Sequence, residues 1–287
     1  MLRSLTSAIS GLQNFQERMD VIGNNIANVN TTGFKSARTD FADSFSQTLQ
    51  FSSGGTAGTA GTSSIQIGAG VTTAAIKNQY TQGALSRTGV QTDLAVAGEG
   101  FFIVRDPVST TQFATRAGDF HLDQNGYLVA NAGQRVQGFM DSSLTTVGDI
   151  QIDTTGMPAT SAPGSKLISY AIDADGKVNV NLSDGTQFVR GQILMQSFRD
   201  PQGLVKEGNN LYSGIGSAGP LGGATPTMAA ANTNGLGKIQ SGALELSNVD
   251  LANEFTSMIT AQRAFQATSR IITTSDEMLQ ELVNLKR

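Results

Sequence analysis

The chain has 287 residues, enough to bury one or two sizeable cores, and 39% of them are hydrophobic, which excludes disorder throughout. Only 15% are charged, well under the ~25% of ordinary soluble domains, and 33 are glycine, so the polar surface rests on Ser, Thr, Asn and Gln. A net charge of −4 without any Lys/Arg cluster excludes nucleic-acid and anionic-membrane binding, and the absence of cysteine removes disulfides and thiolate metal sites. A surface so poor in charge favours a subunit covered by neighbours, although composition alone serves a Gly-rich secreted β protein equally well.

The first element in the chain is a helix. Leu5, Leu12, Met19 and Ile26 recur every seven residues, with Leu2, Ile9, Phe15, Ile22 and Val29 in the flanking rows. The N-terminus has no uninterrupted apolar h-region, so export, if it occurs, is expected without an ordinary cleaved signal. The end of this helix, D-V-I-G-N-N-I-A-N-V-N-T-T-G-F-K at 20–35, is unusually rich in amides. Asn24 and Asn28 fall on one face beside the apolar row, while Gly23 and Ala27, also four apart, allow close helix approach. Thr31, Thr32 and Gly33 read as the helix end, with Gly33 at a left-handed C′ position and Phe34 anchoring the departing chain to a connector.

Low-complexity G-G-T-A-G-T-A-G-T at 54–62 reads as a loop. Short apolar or alternating runs at Leu94–Val96, Phe101–Val104 and Leu167–Ile172 read as strands, and Asn125-Gly126, Asp175-Gly176 and Asp184-Gly185 as hairpin turns. The middle of the chain is therefore expected to be antiparallel β, followed by a flexible Gly/Ala/Pro/Thr-rich stretch at 214–237. A second helix is expected over about 248–285, capped by Ser247 or Asn248. Its heptad row is Leu251, Met258, Phe265, Ile272 and Leu279, supported by Phe255, Ile259, Ile271, Met278, Leu282 and Leu285.

The predicted fold class is α+β: long N- and C-terminal helices pairing as a coiled coil, joined by an extended connector to a β-rich central domain. Residues 1–33 and 248–287 form the helical domain, 34–90 the connector and 91–247 the β body. A two-helix hairpin of this length leaves much apolar surface in water, which further copies of the chain would cover.

Motifs for chemistry are weak. Gly214, Gly216 and Gly219 have dinucleotide-loop spacing, but Pro220 follows where a helix should open. Asp173, Asp175 and Gly176 resemble the start of a calcium loop, yet Val178 and Asp184 occupy positions that require Gly and Glu, so a hairpin turn reads better. His121 is the lone histidine, in an alternating strand, and the carboxylates are scattered. No catalytic constellation, cofactor site or metal site is expected.

Three stretches carry a resemblance. M-L-R-S-L with the 20–35 segment, D-L-A-V-A-G-E-G-F-F-I-V at 93–104, and S-G-A-L-E-L-S-N-V-D-L-A-N-E-F through T-S-D-E-M-L-Q near the C-terminus resemble the bacterial flagellar rod and hook proteins. I-G-N-N-I-A-N, P-Q-G-L-V-K-E-G-N-N-L-Y-S and L-G-K-I-Q-S-G-A-L-E look hook-like, since the distal rod protein tends to Ala at position 23 and Leu at 26. The insert at 51–64 sits where the distal rod protein carries extra residues, which keeps a rod reading as the alternative. The resemblance implies no enzyme, but a subunit of a short-form flagellar hook, the flexible tubular joint passing torque from rod to filament. It also implies a homopolymer, contacts with other axial proteins such as the distal rod, hook cap and hook-filament junction proteins, and type III export to an extracellular structure. In such a tube Leu5, Leu12, Met19, Gly23, Asn24, Ile26, Asn28, Leu251, Met258, Phe265, Ile272 and Leu279 are the expected self-assembly residues. The amides of Asn24 and Asn28 then serve as uncharged contacts, the alternative being a solvated stripe.

Overall fold

A computed structural model describes residues 2–55, 60–158, 161–162, 164–220 and 228–285. The chain forms two compact units. One holds residues 1–27, 36–79 and 249–287, and the other holds 28–35 and 80–248.

The first unit is built on α1 (Leu2–Ala27) and α2 (Leu251–Leu285). The two helices lie side by side and antiparallel. Asn25 Nδ2 reaches Glu254 Oε1 at 3.1 Å near one end, and fourteen residues along each helix a Cβ on Gly11 would stand 3.6 Å from Thr268 Cγ2. The cap of α2 is Asp250, not Ser247 or Asn248: its Oδ1 accepts from the amides of Ala252 (2.9 Å) and Asn253 (3.3 Å). A carboxylate there satisfies two orphan donors and suits the helix dipole. Asn248 is used elsewhere, donating to Thr81 Oγ1 at 2.9 Å.

The stretch expected as connector contains five described strands: β1 (Ala37–Asp43), β2 (Ser46–Gln50), β3 (Ile65–Gly68) and β4 (Val71–Asn78) in the first unit, and Leu85–Arg87, which pairs with Ala243–Glu245 in the second. β1 pairs with β4 and β2 with β3, both antiparallel, giving a two-stranded ribbon with a bulge at Asp40/Phe41. The ribbon has no core of its own and leans on α1. Asn14, buried, donates to Val71 O (2.9 Å) and accepts from Thr73 Oγ1 (2.6 Å), and Phe15 meets Phe41 edge-on at 6.4 Å.

The second unit is a β body. Its largest sheet joins twelve strands antiparallel, with the hairpin strands Leu167–Ile172, Lys177–Leu182 and Gln187–Gln196 at one end and Val205–Gly208 at the other. Strand Phe101–Arg105 is buried on both faces. Phe102 and Val104 point into a core with Leu128, Val136, Ile193 and Met195, while Phe101 and Ile103 point into a second cluster with Phe198, Leu204 and Tyr212. Side chains alternate across a strand, so a double-sided strand reads as an unbroken apolar run.

The turn signals are realised. Gly126, Gly176 and Gly185 all have φ near +80°, where the absence of a side chain avoids strain. The calcium-loop lookalike is the Asp175-Gly176 turn, with Asp173 and Lys177 bonded across it at 3.0 Å. The glycine triplet at 214–219 is a tight turn, Ser217 N to Gly214 O at 2.9 Å, and the next described element is a strand, Ala229–Ala230. Its Ile215 and Ala218 are buried, so this part of the 214–237 stretch is packed rather than loose; residues 221–227 lie outside the described residues. The molecule is thus α+β, with a helix at each end of the chain and a β-rich centre.

Candidate assembly surfaces

Helix faces supply the first candidate surface. On α2, Met258, Phe265, Ile272 and Leu279 are half-buried, on the same face as buried Ala261 and Ser275, while Leu251 at the helix start is exposed. The row between them is small or polar: half-buried Glu254 and Thr268 and buried Ala261 and Ser275 complete a four-three-four spacing along the helix. Buried hydroxyls are satisfied within the helix, as where Ser275 Oγ donates to Ile271 O at 2.7 Å. The other apolar row, Phe255, Ile259, Ile271, Met278 and Leu282, is about half exposed in the single chain.

On α1, Leu5, Leu12, Met19, Gly23 and Ile26 are half-buried, and the buried positions are Ala8, Gly11, Asn14, Ile22 and Asn25. A Cβ at Gly23 meets nothing within 4 Å, so the close helix approach inside the chain is at Gly11. Asn24 is exposed. Because α1 stops at Ala27, Asn28 lies past its end in a turn, its Oδ1 accepting from Thr31 Oγ1 at 3.1 Å, and does not share a helix face with Asn24.

The buried amide of the 20–35 segment is Asn25. Its Oδ1 accepts from Ala37 N (2.9 Å) and its Nδ2 donates to Ala37 O (2.8 Å), so the side chain mimics a strand neighbour at the start of β1 while also holding Glu254. Burial raises the Glu254 carboxyl above its ordinary value, against the lowering pull of Asn25 and Arg18, and Asp250 adds to the rise. A folded-state pKa above the unfolded one contributes stability that is present below the unfolded value and lost as pH rises through the folded one. Glu254→Gln keeps an acceptor for Asn25 and removes that loss. Calorimetry is expected to show the variant melting higher than wild type at pH 7 and equal to it near pH 4; a lower melting point at pH 7 would show that the charge is needed.

The second candidate region is a buried charge cluster in the β body. Lys35 Nζ stands 2.6 Å from Glu245 Oε1 and donates to Thr81 O at 2.8 Å. Glu245 Oε1 also accepts from Gly83 N (2.9 Å), and its Oε2 faces Arg116 Nη1 at 3.3 Å. Arg116 Nη2 donates to Gly98 O at 3.0 Å, and the guanidinium stacks 5.1 Å from the Phe101 ring centre. Lys35 and Glu245 have fully buried side chains and Arg116 is 4% exposed. Burial lowers the pKa of Lys35 and of Arg116, and Glu245 opposes both shifts.

Around the cluster the body grips the segment after α1. Gly33 N donates to Glu245 O (2.8 Å), Asn210 Nδ2 to Thr32 O (2.7 Å) and Lys206 Nζ to Lys35 O (3.1 Å). Phe34 is buried beneath Lys206, whose ammonium lies 4.7 Å from the ring centre. Gly33 has φ +67°, but six residues beyond Ala27 it is a turn residue of the body rather than a helix C′ position. Among the described residues no three His, Asp or Glu side chains converge as metal ligands would, and His121 is exposed on its strand.

Three family models match the chain. They are "Flagella basal body rod protein" at residues 5–35, "Flagellar hook protein FlgE/F/G D1 domain" at 95–180 and "Flagellar basal body rod FlgEFG protein C-terminal" at 240–285. The flagellar basal-body rod protein FlgG of Bacillus subtilis is 44% identical over 290 residues, covering 100% of both chains. FlgG of Buchnera aphidicola subsp. Schizaphis graminum is 36% identical over 287 residues, covering 99% of this chain and 100% of the relative. The flagellar hook protein FlgE of Borreliella burgdorferi is 29% identical over 448 residues, with 100% of both chains covered.

Proposed function

This chain belongs to the family of flagellar basal-body rod and hook proteins, and within it we propose that it is a structural subunit of the distal rod. The observation that carries this reading is the match to a rod protein at 44% identity over 290 residues, nearly the length of this chain, whereas the hook match needs a 448-residue alignment and falls to 29%. The hook preference rested on three short stretches, and identity along the whole chain outweighs them. Those stretches keep the hook subunit as the second reading.

In this function no bond is made or broken. Copies of the chain repeat one heterologous contact whose rotation does not close, which generates a tube able to carry torque. α1 and α2 pair as a coiled coil within each copy through the rows of Leu5, Leu12, Met19 and Ile26 and of Met258, Phe265, Ile272 and Leu279. The half-exposed row of α2, with Leu251, Gly23, Asn24 and Asn28, meets neighbouring copies. The subunit joins other axial proteins above and below it, after type III export without a cleaved signal. Purified protein induced to polymerise is expected to give straight, rigid tubes by electron microscopy; curved, bendable tubes would move the assignment to the hook, and persistent monomers would end both.

A further inference from the structure

We propose that Lys35, Glu245 and Arg116 form a closure latch, which seats the segment after α1 in the β body only when Glu245 has arrived from near the far end of the chain. Lys35 and Glu245 are 210 positions apart in sequence, yet their side chains meet at 2.6 Å with neither exposed. An ammonium is not buried unpaired: its desolvation is repaid only by a close counter-charge with its remaining protons bonded. Here two cations share one carboxylate, so before Glu245 docks, Lys35 would sit beside the Arg116 guanidinium with only Thr81 O as partner. Glu99 and Tyr212 are the other titratable groups felt by Arg116, and neither bonds to Lys35.

The remaining grips on the segment, from Asn210, Lys206 and the Phe34 ring contact, hold backbone and ring but leave that charge uncompensated. Glu245 alone touches all the parts: Gly33 through its carbonyl, Gly83 and Lys35 through Oε1, Arg116 through Oε2. Until the carboxylate is present, residues 28–35 are not seated in the β body. A chain lacking its far end therefore cannot offer a completed β body to a growing tube. This last consequence rests on the proposed function; the latch itself does not.

The test is a double-mutant cycle read by hydrogen exchange on the full-length chain. Glu245→Gln is expected to speed exchange at Gly33 and Phe34 on the order of 100-fold, with the amides of Ile103 and Ile193 unchanged. In a Lys35→Met background the same substitution is expected to cost less than about tenfold, because no ammonium remains to be paired and Arg116 keeps Gly98 O and the face of Phe101. Equal effects in the two backgrounds would overturn the latch, as would acceleration spread evenly through the body. Polymerisation should follow the same cycle, lost in Glu245→Gln and recovered in the double variant. If wild type forms tubes and Glu245→Gln forms them equally well, the gating role is overturned while the rod assignment stands; if wild type forms none, the assignment fails and the exchange cycle still decides the latch.

Discussion

Replacing Gly33 by alanine is expected to open the neck of the β body and cost about 2–5 kcal/mol, the sum of a left-handed backbone strain and a steric overlap. The added Cβ would lie 2.5 Å from Ala117 N and 2.7 Å from Arg116 C, both backbone atoms, so no rotamer change relieves the overlap. The φ of +67° strains a side chain at this position even where space exists. Relief requires the segment to lift, which breaks Gly33 N to Glu245 O and pulls Lys35 away from its counter-charge. Urea unfolding of the purified variant measures the cost, and a loss below about 1 kcal/mol would show that the 116–117 backbone yields instead.

The second large effect concerns the two apolar rows of α2. Phe265→Asp places a carboxylate on the face that carries buried Ala261 and half-buried Thr268, the latter beside Gly11, so it should separate the helices and lower the helical signal of the monomer. Phe255→Asp and Ile259→Asp lie on the half-exposed row and should leave monomer circular dichroism unchanged while reducing polymerisation by tenfold or more, an order expected for burying an unpaired charge in a contact between copies. Met258→Asp should behave as Phe265→Asp. If the exposed-row variants polymerise as wild type, that row faces water in the tube and the contact between copies is elsewhere.

How much of this was legible in the sequence depends on what kind of burial each element uses. The rows of Leu12 and Met19 and of Met258 and Phe265 stand out because apolar residues recur every seven. The positions between them do not: Gly11, Asn14, Asn25 and Ser275 are buried, and Thr268 half-buried, through close approach and hydrogen bonds, which leave no apolar periodicity. Strand Phe101–Arg105 and the Asn-Gly and Asp-Gly turns are visible because core burial and positive φ restrict residue choice. The ribbon of β1 to β4 escaped notice since it is held by its ladder and by α1, and β3 is exposed at every position. The helix cap was misplaced by two or three residues because Ser247, Asn248 and Asp250 are all competent acceptors and only geometry selects among them.

The charge cluster was missed because its members are lone charges at 35, 116 and 245. The available hint was Glu245 standing between Leu244 and Leu246, and Lys35 directly after buried Phe34. A single charge inside an apolar run is ambiguous until its distant partner is known. The preference for hook over rod drew on local words such as I-G-N-N-I-A-N, whereas the proposed rod reading draws on identity along the whole chain.

The neck has a mechanical meaning as well. The chain passes between its two units at 27/28, 35/36, 79/80 and 248/249, and Lys35, Thr81 with Gly83, and Glu245 each stand within a few residues of one of these crossings. Tension arriving along any of those three strands of chain therefore meets the ion pair and its backbone bonds before it can reach the sheet. A pull on any of them loads the Lys35–Glu245 pair and the bonds to Thr81 O and Gly83 N ahead of the hairpins.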